Sequence, residues 1–142
     1  LALDVAARWR AEDPDNPEID ERCAALLFAL GHADEALRHL DSIAERHPAE
    51  GAAHARVAEA LEREGRIDDA DRRWQQAIDV EPTNPTWLVR RAHNLLAAGD
   101  PTGARDLARQ VVGGKWQDRF NAAVQDARDL ARLLDRRGPA KP

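Results

Sequence analysis

Apolar residues recur along the chain at helical spacing. Between residues 52 and 64, Val57, Ala58 and Leu61 share one face, and Ala70, Trp74, Ala77 and Ile78 form a second stripe further on. Between the stripes stands Gly65, which takes a left-handed conformation at no steric cost and so ends a helix. The next helix is predicted to start near Asp68, with the Asp68 side chain as N-cap and Ile67 as a hydrophobic staple. Pro82 stops it.

This helix-turn-helix pattern repeats. Asp13-Pro14-Asp15-Asn16-Pro17 returns 68 residues later as Glu81-Pro82-Thr83-Asn84-Pro85, and His47-Pro48-Ala49-Glu50-Gly51 lies midway, so the period is 34. Shifting the chain by 34 aligns Gly31, Gly65 and Gly99; Leu27, Leu61 and Leu95; Ala24, Ala58 and Ala92; Ala36, Ala70 and Ala104; and Arg22, Arg56 and Arg90. Methyl side chains in two of these columns let paired helices approach closely, while the leucines fill the space beside them. Residues 1–11 read as the second helix of an incomplete unit, although Trp9 sits awkwardly in that register. Residues 118–137 read as one amphipathic capping helix with Phe120, Val124, Ala127, Leu130 and Leu134 inside, and 138–142 as a tail or linker.

The pattern resembles the tetratricopeptide repeat family. The fullest match runs from Ala53 to Pro82, with Val57, Ala58, Leu61, Gly65, Ala70, Trp74, Ala77 and Pro82 at signature places and His54 where a Trp is usual. The resemblance implies an all-α fold, an α-solenoid in which antiparallel helix pairs stack into a right-handed superhelix. The predicted units are a partial repeat at 1–16, repeats at 17–50, 51–84 and 85–116, a capping helix at 117–137 and the tail. Pentatricopeptide repeats, which bind RNA, have a 35-residue unit; the 34-residue period, the closing prolines and the acidic balance argue against them.

In the resembled family the first helix of each unit lines a concave groove that holds a peptide or helix from another protein. The resemblance therefore implies a non-catalytic protein-interaction scaffold. The alternative is a structural spacer or self-assembly domain of a larger bacterial protein. The candidate groove residues are Glu21, Arg22 and Phe28 in the first unit, Arg56, Glu59 and Arg63 in the second, and Val89, Arg90, His93 and Leu96 in the third. Glu18, Ala25, Ala52, Ala55, Glu62 and Thr86 complete the stripe. Arg22, Arg56 and Arg90 would form a guanidinium ladder for the carboxylates of an acidic segment. Arg22 has Glu18 and Arg56 has Glu59 within helical reach, which leaves Arg90 as the freest. Co-chaperone members of the family clamp a terminal carboxylate with Lys and Asn; the matching places here hold Glu21 and Ala25, or Ala55 and Glu59, so that role is not expected.

Composition narrows the chemistry. The 142 residues carry 26 acidic and 21 basic side chains, which disfavours a nucleic-acid grip. One serine, three threonines and no tyrosine leave few nucleophiles, so no enzyme activity is expected. No cofactor is implied, and no metal, since His32, His39, His47, His54 and His93 lack ligand spacing. Asp68-Asp69-Ala70-Asp71 lacks the spacing of a calcium loop, and Gly113-Gly114-Lys115 is too short for a phosphate loop. Cys23 reads as a small core hydrophobe, Trp74 as core, and Trp87 and Trp116 as exposed anchors for a partner. No apolar run reaches the length of a membrane span; the chain reads as soluble, cytoplasmic or periplasmic. Absence of Met is read as a trimmed or internal fragment, and 19 Arg against two Lys as a GC-rich bacterial source. Residues 1–100 carry net −9 and residues 101–142 net +4, an asymmetry that admits weak head-to-tail association as well as a merely solvated end.

Overall fold

Helix boundaries fall where the backbone has a reason to turn. In the computed structural model, which describes residues 2–136, α1 spans Ala2–Glu12, α2 Pro17–Ala29, α3 Ala33–Arg46 and α4 Gly51–Arg63. Then follow α5 (Ile67–Val80), α6 (Pro85–Ala97), α7 (Pro101–Gly113), a short 3-10 turn at Asp118–Phe120 and α8 (Asn121–Arg136). No strand occurs among the described residues. The predicted tail at 138–142 and the last residue of the predicted capping helix lie outside them.

Three turns are built alike. Gly31, Gly65 and Gly99 have φ of 81°, 74° and 83°. In each, the N–H of the residue after the glycine reaches back to the leucine column: His32 to Leu27 at 2.8 Å, Arg66 to Leu61 at 2.9 Å, Asp100 to Leu95 at 2.9 Å. The glycine column therefore encodes a repeated C-terminal cap. Starts are more varied. Asn16 and Asn84 each accept from the backbone N–H two residues on, at 3.0 Å, ahead of Pro17 and Pro85 as first helical residues, and Asp100 caps Gly103 N–H at 2.9 Å.

The expected cap by Asp68 is corrected. The helix α5 begins one residue earlier, at Ile67, Arg66 occupies the cap position without a side-chain cap bond, and Asp68 is exposed. Asp69 instead accepts from Arg66 at 2.7 Å and from Arg72. Burial raises the Asp69 pKa, but those two guanidiniums outweigh it and the net direction is down. At the far end the predicted single helix is a 3-10 turn followed by α8, and its buried stripe is Ala127, Leu130, Ala131 and Leu134.

Successive helices pack in order, and α6 also touches α4 and α8, so the first helices of the pairs stand in a row. One apolar cluster joins α2 to α5 around Leu27, Leu40, Val57, Leu61 and Trp74; a second joins α6 to α8 around Leu88, Ala92, Ala108, Val111 and Leu130. The repeated alanines Ala36, Ala58, Ala70, Ala92 and Ala104 are fully buried, as close helix approach requires. Trp87 of α6 leans into the first cluster and Ile78 of α5 into the second, which locks the two together.

Candidate functional site

The first helices α2, α4, α6 and α8 are tied edge to edge, by ion pairs from α2 to α6 and by a histidine–carboxylate hydrogen bond from α6 to α8. Glu21 of α2 accepts from Arg56 and lies 3.8 Å from Arg63, both on α4. Glu59 of α4 pairs with Arg90 of α6 at 3.2 Å, and His93 of α6 with Asp126 of α8 at 3.0 Å. One continuous ribbon results. Each exposed pair adds little stability in water, in the range of about 0.2–1 kcal/mol. Their structural effect is to fix the spacing of the row.

The expected arginine ladder takes a different form. Arg22 pairs with Glu18 at 3.1 Å as anticipated and also lies 5.7 Å from the centroid of the Trp9 ring. Arg56 turns to Glu21 on the neighbouring unit and not to Glu59. Arg90, read as the freest of the three, is engaged by Glu59 and lies 5.0 Å over the Trp74 ring. Its partners sit on other helices, where spacing along one helix gives no view of them.

The remaining candidates separate by burial. Val89 is 2% exposed and belongs to the α6–α8 core, so it offers no groove surface. Ala55 is likewise buried. Phe28 is half-buried against the first cluster with the Arg66 guanidinium 5.6 Å from its ring centroid, and Leu96 is half-buried against the second. Arg22, Arg63, His93, Ala25 and Ala52 are exposed.

Neither Trp87 nor Trp116 is an exposed anchor. Trp87 stacks on Trp74 at 6.2 Å and donates to Glu81 at 3.1 Å. Trp116 donates to the Val111 carbonyl at 2.7 Å and closes the end of α7. Trp74 is fully buried, as read from its stripe, and its indole N–H meets Glu62. Cys23 is buried; burial first, then the charge of Asp20, pushes its thiol pKa up, which disfavours the reactive thiolate.

Two polar clusters gave no sequence signal. Asp20 is fully buried, yet it binds Arg46, with Arg10 at 3.4 Å and His39 Nδ1 at 3.3 Å, and so ties α1 and α3 to α2. Glu81 accepts from the Gly51 N–H at 2.9 Å and caps α4 from the next turn. A Cβ at Gly51 would stand 2.5 Å from Trp87 Nε1, so glycine is required there. Burial raises the Glu81 pKa, but hydrogen bonds from Gly51, Trp87 and Asn84 and the charge of Arg119 outweigh it, and the net direction is down.

A carboxylate with a lowered folded-state pKa stabilises above its unfolded value and loses that contribution as pH falls through the folded one. Glu81→Gln is therefore expected to lower stability at pH 7 by about 1 kcal/mol, and the gap to wild type should close on acidification to about pH 3. Denaturant titrations at the two pH values check this.

Among the described residues no group of His, Cys, Asp and Glu is arranged to hold a metal, and no helix is long and apolar enough to cross a membrane. Paired helices with glycine-ended turns and alanine contacts define the class: a tetratricopeptide-type helical repeat, an α-solenoid. Similar solved structures include the type III secretion translocator chaperone SycD of Yersinia enterocolitica, with TM-score 0.60, 14% identity, and coverage of 88% of this chain and 87% of that one. PcrH in complex with the chaperone binding region of PopD follows, at TM-score 0.58 and 16% identity over 86% and 92%. A thermophilic TPR protein of Thermus thermophilus gives 0.52 and 18% over 98% and 82%. A family model matches residues 6–84, more than half of the chain, and the protein belongs to that family, the bacterial transcriptional activator domain. No curated protein matches the sequence.

Proposed function

We propose that this domain is a non-catalytic interaction module that holds a peptide or helix of a partner protein along the row of first helices. We read the stack as repeats at 17–50, 51–84 and 85–116 closed by α8, and the row of first helices as its concave side. The observation that carries the proposal is the ribbon itself: ion pairs and a histidine–carboxylate hydrogen bond, from Glu21 to Asp126, hold α2, α4, α6 and α8 at fixed spacing. Beside those pairs the small side chains of Ala25 and Ala52 leave room for a guest, and the edges of Phe28 and Leu96 give it apolar contact. A preorganised surface loses little freedom when it binds. The fold likeness supports the mode, because PcrH was captured with a segment of another protein. Membership of a family described as a bacterial transcriptional activator domain favours, as partner, another protein of an activating assembly.

The guanidiniums are already matched by carboxylates, so the partner need not be acidic. It must present small and apolar side chains at helical or extended spacing.

The test is capture of the partner from a bacterial lysate with wild type, with the ribbon variant Arg22→Glu/Arg63→Glu, and with the control Arg38→Glu/Gln110→Glu on α3 and α7. All four positions are exposed. The ribbon variant is expected to lose the partner by tenfold or more while the control retains it, roughly the effect of 1.4 kcal/mol. Equal capture by both variants overturns the proposal.

A further inference from the structure

Two features at opposite ends of the stack lie outside the contacts that tie that ribbon together, although the first borders its stripe at Glu18 and Arg22. At one end Trp9 is 43% exposed and, with Ile19 and Asn16, walls an open cavity of about 260 Å³. Glu12, Asp13 and Glu18 rim it. Its chemistry is already demonstrated on one side, where Arg22 lies against the indole and pairs with Glu18. Aromatic face and carboxylates together suit a guanidinium. At the other end α8 exposes Arg128, Arg132 and Arg136, one stripe at four-residue steps, about 12 Å long. Among the described residues none of these three meets an acidic side chain, whereas Arg10, Arg46, Arg56, Arg73, Arg90, Arg91 and Arg109 all do.

We propose that the acidic Trp9 cavity of one molecule receives the α8 arginine stripe of a second copy. The charge pattern of the chain fits this occupant: residues 1–100 carry net −9 and residues 101–142 net +4, so like ends repel and unlike ends attract. Val5, 40% exposed and one turn before Trp9, and Leu133, 37% exposed and beside Arg132, supply an apolar margin on each side. Cavity and stripe are different patches, so the contact is heterologous. It is also electrostatic, and salt weakens it.

Sedimentation velocity on the full chain tests it. At about 0.02 M salt the mean mass should rise with protein concentration, and at about 0.5 M it should fall to the monomer. The cavity variant Glu12→Lys/Asp13→Lys and the stripe variant Arg128→Glu/Arg132→Glu should each be monomeric alone at low salt, with association at least about tenfold weaker. Mixed, they should associate again, because one retains the stripe and the other the cavity. Circular dichroism of each variant verifies that the helices are intact.

A wild-type monomer at every concentration in low salt overturns the proposal. Undiminished association of either variant alone overturns it as well, and so does a folded mixture that stays monomeric. A monomeric wild type that binds poly-glutamate through the stripe would assign α8 to an acidic partner protein instead.

Discussion

Trp74→Ala is expected to destabilise the domain by about 3–5 kcal/mol, the range for deleting a buried aromatic side chain. Trp74 has no exposed surface, and its loss removes more than its own packing. The ring stacks on Trp87, lies under Arg90 and donates to Glu62, so α4, α5 and α6 all meet there. The cavity would open at the junction of the two apolar clusters. A thermal midpoint roughly 10–15 °C below wild type follows for a domain of this size. Leu30→Ala, at a side chain 60% exposed, should cost under about 0.5 kcal/mol. Helical signal during urea unfolding measures both. A Trp74→Ala loss no larger than that of Leu30→Ala would mean that the central packing described here is wrong.

Asp20→Ala is the second large effect, at about 3 kcal/mol. Breaking a buried ion pair by removing one partner costs about 3–5 kcal/mol when the charge left behind stays buried. Here Arg46 and Arg10 retain side-chain exposures of 23% and 38% and can turn toward water, which puts the loss at the lower end. The loss is local. The helix α1 is attached through Ala6, Ile19 and Cys23 and through the Asp20 cluster, so its amides should exchange with solvent much faster while those of α6 and α7 hardly change. Uniform acceleration across the chain would show that Asp20 supports the whole stack and not its first joint.

The legible and illegible parts of this structure divide along a physical line. Gly31, Gly65 and Gly99, the alanine columns and the closing prolines act within one helix pair, and each recurs, so the period of 34 reveals them directly. Contacts between pairs do not recur in the same way. Arg56 reaches back 35 residues to Glu21, Arg90 31 residues to Glu59 and His93 33 residues forward to Asp126. No fixed offset connects them, and a search for i+3 and i+4 partners passes over all three.

Val89 misleads for a related reason. Helix α6 is covered by its own partner α7 and also by α5, α8 and α4, so its buried arc is wider than the stripe of a two-helix hairpin. Asp20 is hardest to read. A carboxylate one residue from Ile19 looks like the solvated side of an amphipathic helix, and only the arrival of Arg10, Arg46 and His39 from two other helices makes its burial tolerable.

The central proposal is that a partner protein lies along the row of first helices and not on the outer helices α3, α5 and α7. Hydrogen exchange of the domain with and without its captured partner tests it most directly. Slowed exchange confined to the first helices α2, α4, α6 and α8 is the predicted result. Slowing that falls instead on α3, α5 and α7, with the first helices unaffected, would contradict it.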